Sequence, residues 1–194
     1  MVGSYYYLAA QLPYLIYGQN VPMSSGAFKK LAGEHMDSSA AAVLDHCTLD
    51  ICPAQSALPD EPGETCPAAP ASSSVVSKWK EWERTLRLNL AKNRAKKLKR
   101  EGGFQAEVPD YPYDAAVAAR AALAFESPLE AELYLDKARW DAIEGFQGLD
   151  SFSESAIYAY LLKLLLMERR MAFNTEEGYT EYKGLYAAIL GEPK

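Results

Sequence analysis

The side chains best suited to hold a metal are His46 and Cys47, followed by Cys52 and Cys66. Zn²⁺ takes imidazole and thiolate ligands in a tetrahedron, so this set raises the question of a zinc site. The spacing opposes it. There is no C-x-x-C knuckle, and Cys66 falls in a stretch rich in Pro, Ala and Ser. Three reduced thiols, with no metal and no closed disulfide framework, are the expectation from an odd cysteine count. Nucleophilic catalysis needs a base to activate Ser or Cys, most often histidine. The chain has two histidines, His35 and His46, both beside a predicted loop, so a triad is not expected. Glu130 and Glu132 stand two apart on a predicted helix and face different ways. Glu176 and Glu177 suit a helix N-terminus, where the macrodipole favours negative charge. Neither a G-x-x-x-x-G-K-[ST] loop nor a G-x-G-x-x-G turn is present. The sequence therefore predicts a non-enzymatic protein with no cofactor.

Chemistry of another kind is concentrated between Lys78 and Glu101. That run holds ten of the twenty Lys and Arg residues and three carboxylates, for a local charge of +7 in a chain whose net charge is −6. The rest of the molecule must carry −13. A cationic segment on an acidic body is arranged to meet an oppositely charged surface. An acidic protein partner satisfies it through bidentate arginine–carboxylate contacts. The predicted partner-binding residues are Trp79, Trp82, Arg84, Arg87, Arg94 and Lys97, the tryptophans anchoring the segment by burial. A nucleic-acid-binding adaptor using residues 78–101 is the alternative, since clustered cations neutralise phosphates. The acidic remainder disfavours it, as do two tryptophans at core spacing rather than on a stacking platform.

The elements that position these residues read as mainly α-helical: a bundle with one long basic helix and a Pro-rich surface loop, in a single domain over 1–194. The segment SYYYLAAQL is either a short strand or the first turns of a buried helix, ended by Pro13. Ser24 or Ser25 caps a short helix, and Ser38 or Ser39 caps another. Residues 52–74 form a flexible insertion, because Pro53, Pro59, Pro62, Pro67 and Pro70 interrupt helix and sheet alike. The long basic helix spans 75–101, with Trp79, Trp82, Leu86, Leu90 and Leu98 close to one face and Gly102-Gly103 stopping it. An Ala-rich helix over Asp114 to Phe125 follows. Ser127-Pro128-Leu129-Glu130 then opens a helix towards Gly145, with Leu129, Leu133, Trp140 and Ile143 as its buried positions. Ser153 opens a longer one through Ala156, Leu161, Leu164, Leu165 and Met171, and Asn174 caps the last. The start of the chain lacks a cationic n-region, so no signal peptide is expected. The most apolar stretch, Ala156 to Met167, is too short to cross a bilayer. A cytoplasmic protein is the expectation.

Three segments together resemble a small bacterial family encoded in V-type (V/A-type) ATPase operons. They are S-Y-Y-Y-L-A-A-Q-L-P at 4–13, K-W-K-E-W-E-R-T-L-R at 78–87 and S-P-L-E-A-E-L-Y-L-D-K-A-R-W at 127–140. The resemblance covers Tyr5 to about Leu185 apart from the Pro-rich insertion. Such genes lie where the funnel-shaped component of the ATPase central stalk would be encoded. The Tyr-rich start and the Y-A-Y-L-L-K at 158–163 are similar in character to segments of that central-stalk funnel. The resemblance implies a non-catalytic subunit or assembly protein of a rotary ATPase. Its partners would be other ATPase subunits, and it would reach the cytoplasmic face of the membrane only through them. The central-stalk funnel is all-helical and built from a three-fold pseudo-repeat, and this chain has room for one such unit. A stalk position and an assembly role both stay open.

Overall fold

A computed structural model describes residues 5–50, 74–99, 108–109, 111–173 and 175–190. Its helices are α1 (Tyr6–Gln11), α2 (Ser25–His35), α3 (Ser38–Leu44), α4 (Ser74–Lys97), α5 (Tyr113–Ala122), α6 (Pro128–Gln147), α7 (Glu154–Met171) and α8 (Thr175–Leu190). No strand occurs among the described residues, so the protein is mainly α. The Pro-rich insertion after Asp50, the Gly102-Gly103 stop and the Asn174 cap lie outside the described residues.

Local chemistry sets the helix starts. Ser24, Ser127 and Ser153 each accept a hydrogen bond through Oγ, from the amides of Ala27 (3.2 Å), Glu130 (3.4 Å) and Ala156 (3.3 Å) respectively. α3 departs from expectation. Its cap position is Asp37 rather than Ser38 or Ser39, and no side-chain bond closes it. The N-terminal segment is a helix, not a strand. Tyr5 and Leu8 are buried together three residues apart while Tyr6 and Tyr7 are exposed, which is helical spacing rather than alternation.

α4 to α7 make the centre of the molecule. α4 packs most extensively on α5, and α6 on α7, with α4 also touching α6 and α7. α5 offers α4 a face of Ala115, Ala118, Ala119 and Ala122, all buried, whose small side chains permit close approach. α2 and α3 cover another side of α7, and α1 rests on α2. The core joins Phe28 and Val43 to Trp79, Trp82, Leu86, Ile143, Ile157, Leu161 and Leu164.

The two tryptophans of α4 lie inside this core. Their rings stack at 6.1 Å, and each indole N–H donates to a neighbour: Trp79 to the Thr48 carbonyl (2.9 Å), Trp82 to Asp114 Oδ2 (2.7 Å). A buried aromatic with a satisfied polar atom contributes its full apolar area. Trp79, Trp82, Leu86 and Leu90 are buried as the stripe predicts, but Leu98 is 65% exposed because α4 runs out past the body.

Two registers differ from the expected ones. On α6 the buried face begins at Leu135, so Trp140 and Ile143 are buried while Leu129 is exposed and Leu133 is half-buried. On α7 the apolar stripe is buried through Met167, but Met171 is exposed and Leu165 half-buried. Cys47 is buried below α3, where its thiol donates to the Val43 carbonyl and burial pushes its pKa up to about 12.

Trp82→Ala is expected to cost about 3–5 kcal/mol in denaturant unfolding, the range for deleting a core aromatic. A loss under about 1 kcal/mol would place the ring outside the core.

Candidate functional site

Charge is what distinguishes this bundle from an ordinary one, and it lies in two places. The first is inside. Glu83 stands on α4 between Trp82 and Leu86, and Asp136 and Arg139 stand on α6 beside Leu135 and Trp140. All three are buried. Arg139 Nε donates to Glu83 Oε2 at 3.0 Å and Nη2 to Glu83 Oε1 at 3.3 Å, a two-pronged grip across the α4–α6 interface. Its Nη1 donates to Asp136 Oδ1 at 3.0 Å and Glu132 Oε1 at 3.2 Å. Arg169 of α7 bonds Glu132 and comes within 3.8 Å of Asp136 Oδ1. Arg87 of α4 donates from Nε to Glu83 Oε1 at 2.8 Å and from Nη2 to the Leu49 carbonyl at 2.9 Å. Three guanidiniums and three carboxylates thus link α4, α6, α7 and the chain after α3.

Burial and pairing compete at each member. Burial disfavours the charged form of Arg139, but the charge of Glu83 and its hydrogen bonds outweigh that and raise the Arg139 pKa. At Asp136 the balance goes the other way. Burial raises its pKa, and the nearby Arg169 and Arg139 offset this only in part. Asp136 Oδ2 is buried without a hydrogen-bond partner among the described residues.

Beside this network lies a cleft of about 500 Å³ lined by Leu49, Asp50, Arg87, Arg139 and Arg169. Guanidinium stays protonated at any physiological pH, so the three arginines of this lining offer fixed charge and N–H donors and do not exchange protons. A larger groove of about 630 Å³ runs beside Trp82, Tyr113, Val117, Tyr134 and Phe146. Its carboxylates are engaged: Asp114 accepts from Trp82, and Asp141 pairs with Lys137.

The second charged region is outside. Lys92, Arg94, Lys96, Lys97 and Lys99 are exposed on the last turns of α4 and just beyond. No salt bridge reaches them among the described residues. Lysine and arginine near a helix C-terminus gain from the macrodipole, but that effect is confined to the last turn. Here the cations begin at Lys92, more than a turn from the end of α4 at Lys97.

The predicted partner-binding residues therefore separate into three groups. Trp79 and Trp82 are core residues of this chain, each 1% exposed, so their contact with a partner is corrected: they hold α4 on its own body. Arg87 belongs to the buried network and the cleft. Arg84, Arg94 and Lys97 are exposed on α4. Sequence reasoning passed over Glu83, Glu132, Asp136, Arg139 and Arg169. A signal existed, because Glu83 and Arg139 sit on the apolar stripes of their helices, where a charge has to be paired.

Among the described residues no three His, Cys, Asp or Glu side chains group to hold a metal. Cys52 and Cys66, two members of the set weighed for zinc, lie outside them. No protein-family model, curated protein or solved structure matches this chain.

Glu83→Gln is expected to lower stability at pH 7 by about 3 kcal/mol, since it leaves the buried Arg139 charge short of its main partner. Asp136→Asn is expected to be neutral or stabilising there. The raised Asp136 pKa means the folded state takes up its proton first. Its contribution is then fully present below the ordinary carboxylate pKa and fades as pH rises through the folded value. The stability of Asp136→Asn relative to the parent should consequently increase from pH 4 to pH 7, measured by urea unfolding; a flat or falling difference would contradict the assignment.

Proposed function

We propose that this chain is a non-catalytic subunit or assembly protein of a V/A-type rotary ATPase that acts by docking to other subunits. The observation that carries the reading is the exposed cationic end of α4 on a chain whose other segments sum to −13. α4 is fastened at one end by Trp79, Trp82 and Leu86 and presents Arg94 and Lys97 at the other. A rigid arm with paired geometry at its base loses little freedom when an acidic partner engages its tip.

α8 supports the same reading independently of charge. Tyr179, Tyr182, Leu185, Tyr186 and Ile189 are all exposed on it, at the three- and four-residue spacings of one helical face. Tyrosine is favoured at interfaces, having a large apolar body and a polar tip. The choice of assembly rests on the resemblance of the three segments and on their order alone. Among the described residues no helix is long and apolar enough to cross a membrane, which is compatible with attachment through partners.

The same cations could serve a nucleic acid, but Trp79 and Trp82 are enclosed and offer no stacking face. Affinity purification of the tagged protein from native membranes in mild salt is the test. Recovery of ATPase subunits, lost on reversing charge with Arg94→Glu and Lys97→Glu, is expected. Recovery free of every ATPase subunit, or with nucleic acid in their place, would overturn the proposal.

A further inference from the structure

We propose that the cleft bounded by Arg87, Arg139 and Arg169 binds a small oxyanion of the phosphate or carboxylate type. The inference is independent of the rotary-ATPase reading and uses none of the residues at the tip of α4.

Among the described residues the lining holds three guanidiniums and one carboxylate, Asp50, so its sign there is positive. Glu83, Glu132 and Asp136 compensate those guanidiniums but do not line the cleft. They work instead as supports. Glu83 holds both Arg87 and Arg139, while Glu132 holds both Arg139 and Arg169. Arginine side chains usually lose much rotamer freedom on binding a ligand; here most of that loss is already taken in folding. Planar forks fixed in this way match the geometry of carboxylate and phosphate oxygens.

Donors remain available. Arg87 carries five N–H groups, and Glu83 and the Leu49 carbonyl engage its Nε and Nη2. Its Nη1 has no acceptor among the described residues, and its side chain is 40% exposed. Arg169 directs Nη2 to Glu132, while its Nη1 stays 3.8 Å from Asp136, beyond hydrogen-bond length. Arg139 is 4% exposed yet reaches the cleft wall. A buried ion-pair network is often no more stabilising than a hydrophobic replacement. An arrangement that turns guanidinium edges towards an open volume gives the network a use beyond holding helices together.

Counted together, the three arginines, Glu83, Glu132, Asp136 and Asp50 sum to −1. At long range this charge repels an anion slightly, so recognition depends on short, directed N–H bonds and not on steering. Two consequences follow. A guanidinium replaced by an ammonium should fail despite equal charge, and chloride should not substitute for an oxyanion.

Isothermal titration calorimetry on the full chain, with sodium phosphate and sodium citrate at ionic strength matched by sodium chloride, tests the proposal. Saturable binding of at least one oxyanion is expected. Phosphate alone, citrate alone or both would each support the site and specify its ligand. Arg87→Ala and Arg87→Lys should each weaken binding by about tenfold or more, as the loss of a directed charge-assisted contact implies. Arg94→Ala, at the exposed tip of α4, should leave it unchanged. Arg87 is partly exposed, so both variants should fold, which circular dichroism checks. Absence of saturable heat with either anion would overturn the proposal, as would full binding by Arg87→Lys or an equal loss in Arg94→Ala.

Discussion

A guanidinium withdrawn from water must find acceptors on every side it turns to the protein and a carboxylate to balance its charge, or its burial costs several kcal/mol. Arg139 imposes that condition on the molecule. It sits in the seam between α4 and α6, where Glu83 reaches it from one helix and Asp136 from its own. A shift of either helix by one turn would leave a charge buried without its partner, at a cost of several kcal/mol. Apolar contacts between Leu, Ile and Ala faces tolerate sliding much better. The ionic pairs thus select one register among several that the hydrophobic surfaces alone would accept, which is the role for which buried polar groups are best attested.

With the register fixed, α4 divides into two halves with different work. From Val75 to Leu90 its inner face belongs to the core, with indole N–H groups tied to Thr48 and Asp114. From Ala91 to Lys99 every residue is exposed or half-buried. The transition coincides with Arg94, which occupies the place a leucine would need to continue the apolar stripe. A single helix therefore joins the interior of the molecule to its most cationic surface without an intervening loop.

Much of this was legible in the residues, and the parts that were not share a cause. Caps at Ser24, Ser127 and Ser153 could be read because a serine hydroxyl acts within three residues of itself. The stripe Trp79, Trp82, Leu86, Leu90 could be read because helical periodicity is local. Leu129 was expected inside and lies outside, since how far α6 overhangs its neighbours depends on helices distant in sequence. The strand-or-helix ambiguity at Tyr5 to Leu12 was settled by what Leu8 packs on, which no nine-residue window contains. The ionic network was missed for a different reason. Composition treats Glu and Arg as surface residues, and only the partnership of Glu83 with Arg139, 56 positions apart, makes their burial affordable. The stripe positions of Glu83 and Arg139 hinted that each needs a partner, but the cleft, a product of their pairing with each other, had no signal of its own in the sequence.

The placement of the indoles has an optical consequence. Trp79, Trp82 and Trp140 are all sequestered from water, and the first two lie face to face. Native emission should be blue-shifted and dominated by a coupled pair at the α4–α5 junction. Anything that settles on the outer turns of α4 or on α8 would leave that spectrum in place, whereas loosening of the interior would redden it. The chain thus carries an intrinsic dye that separates being bound from coming apart.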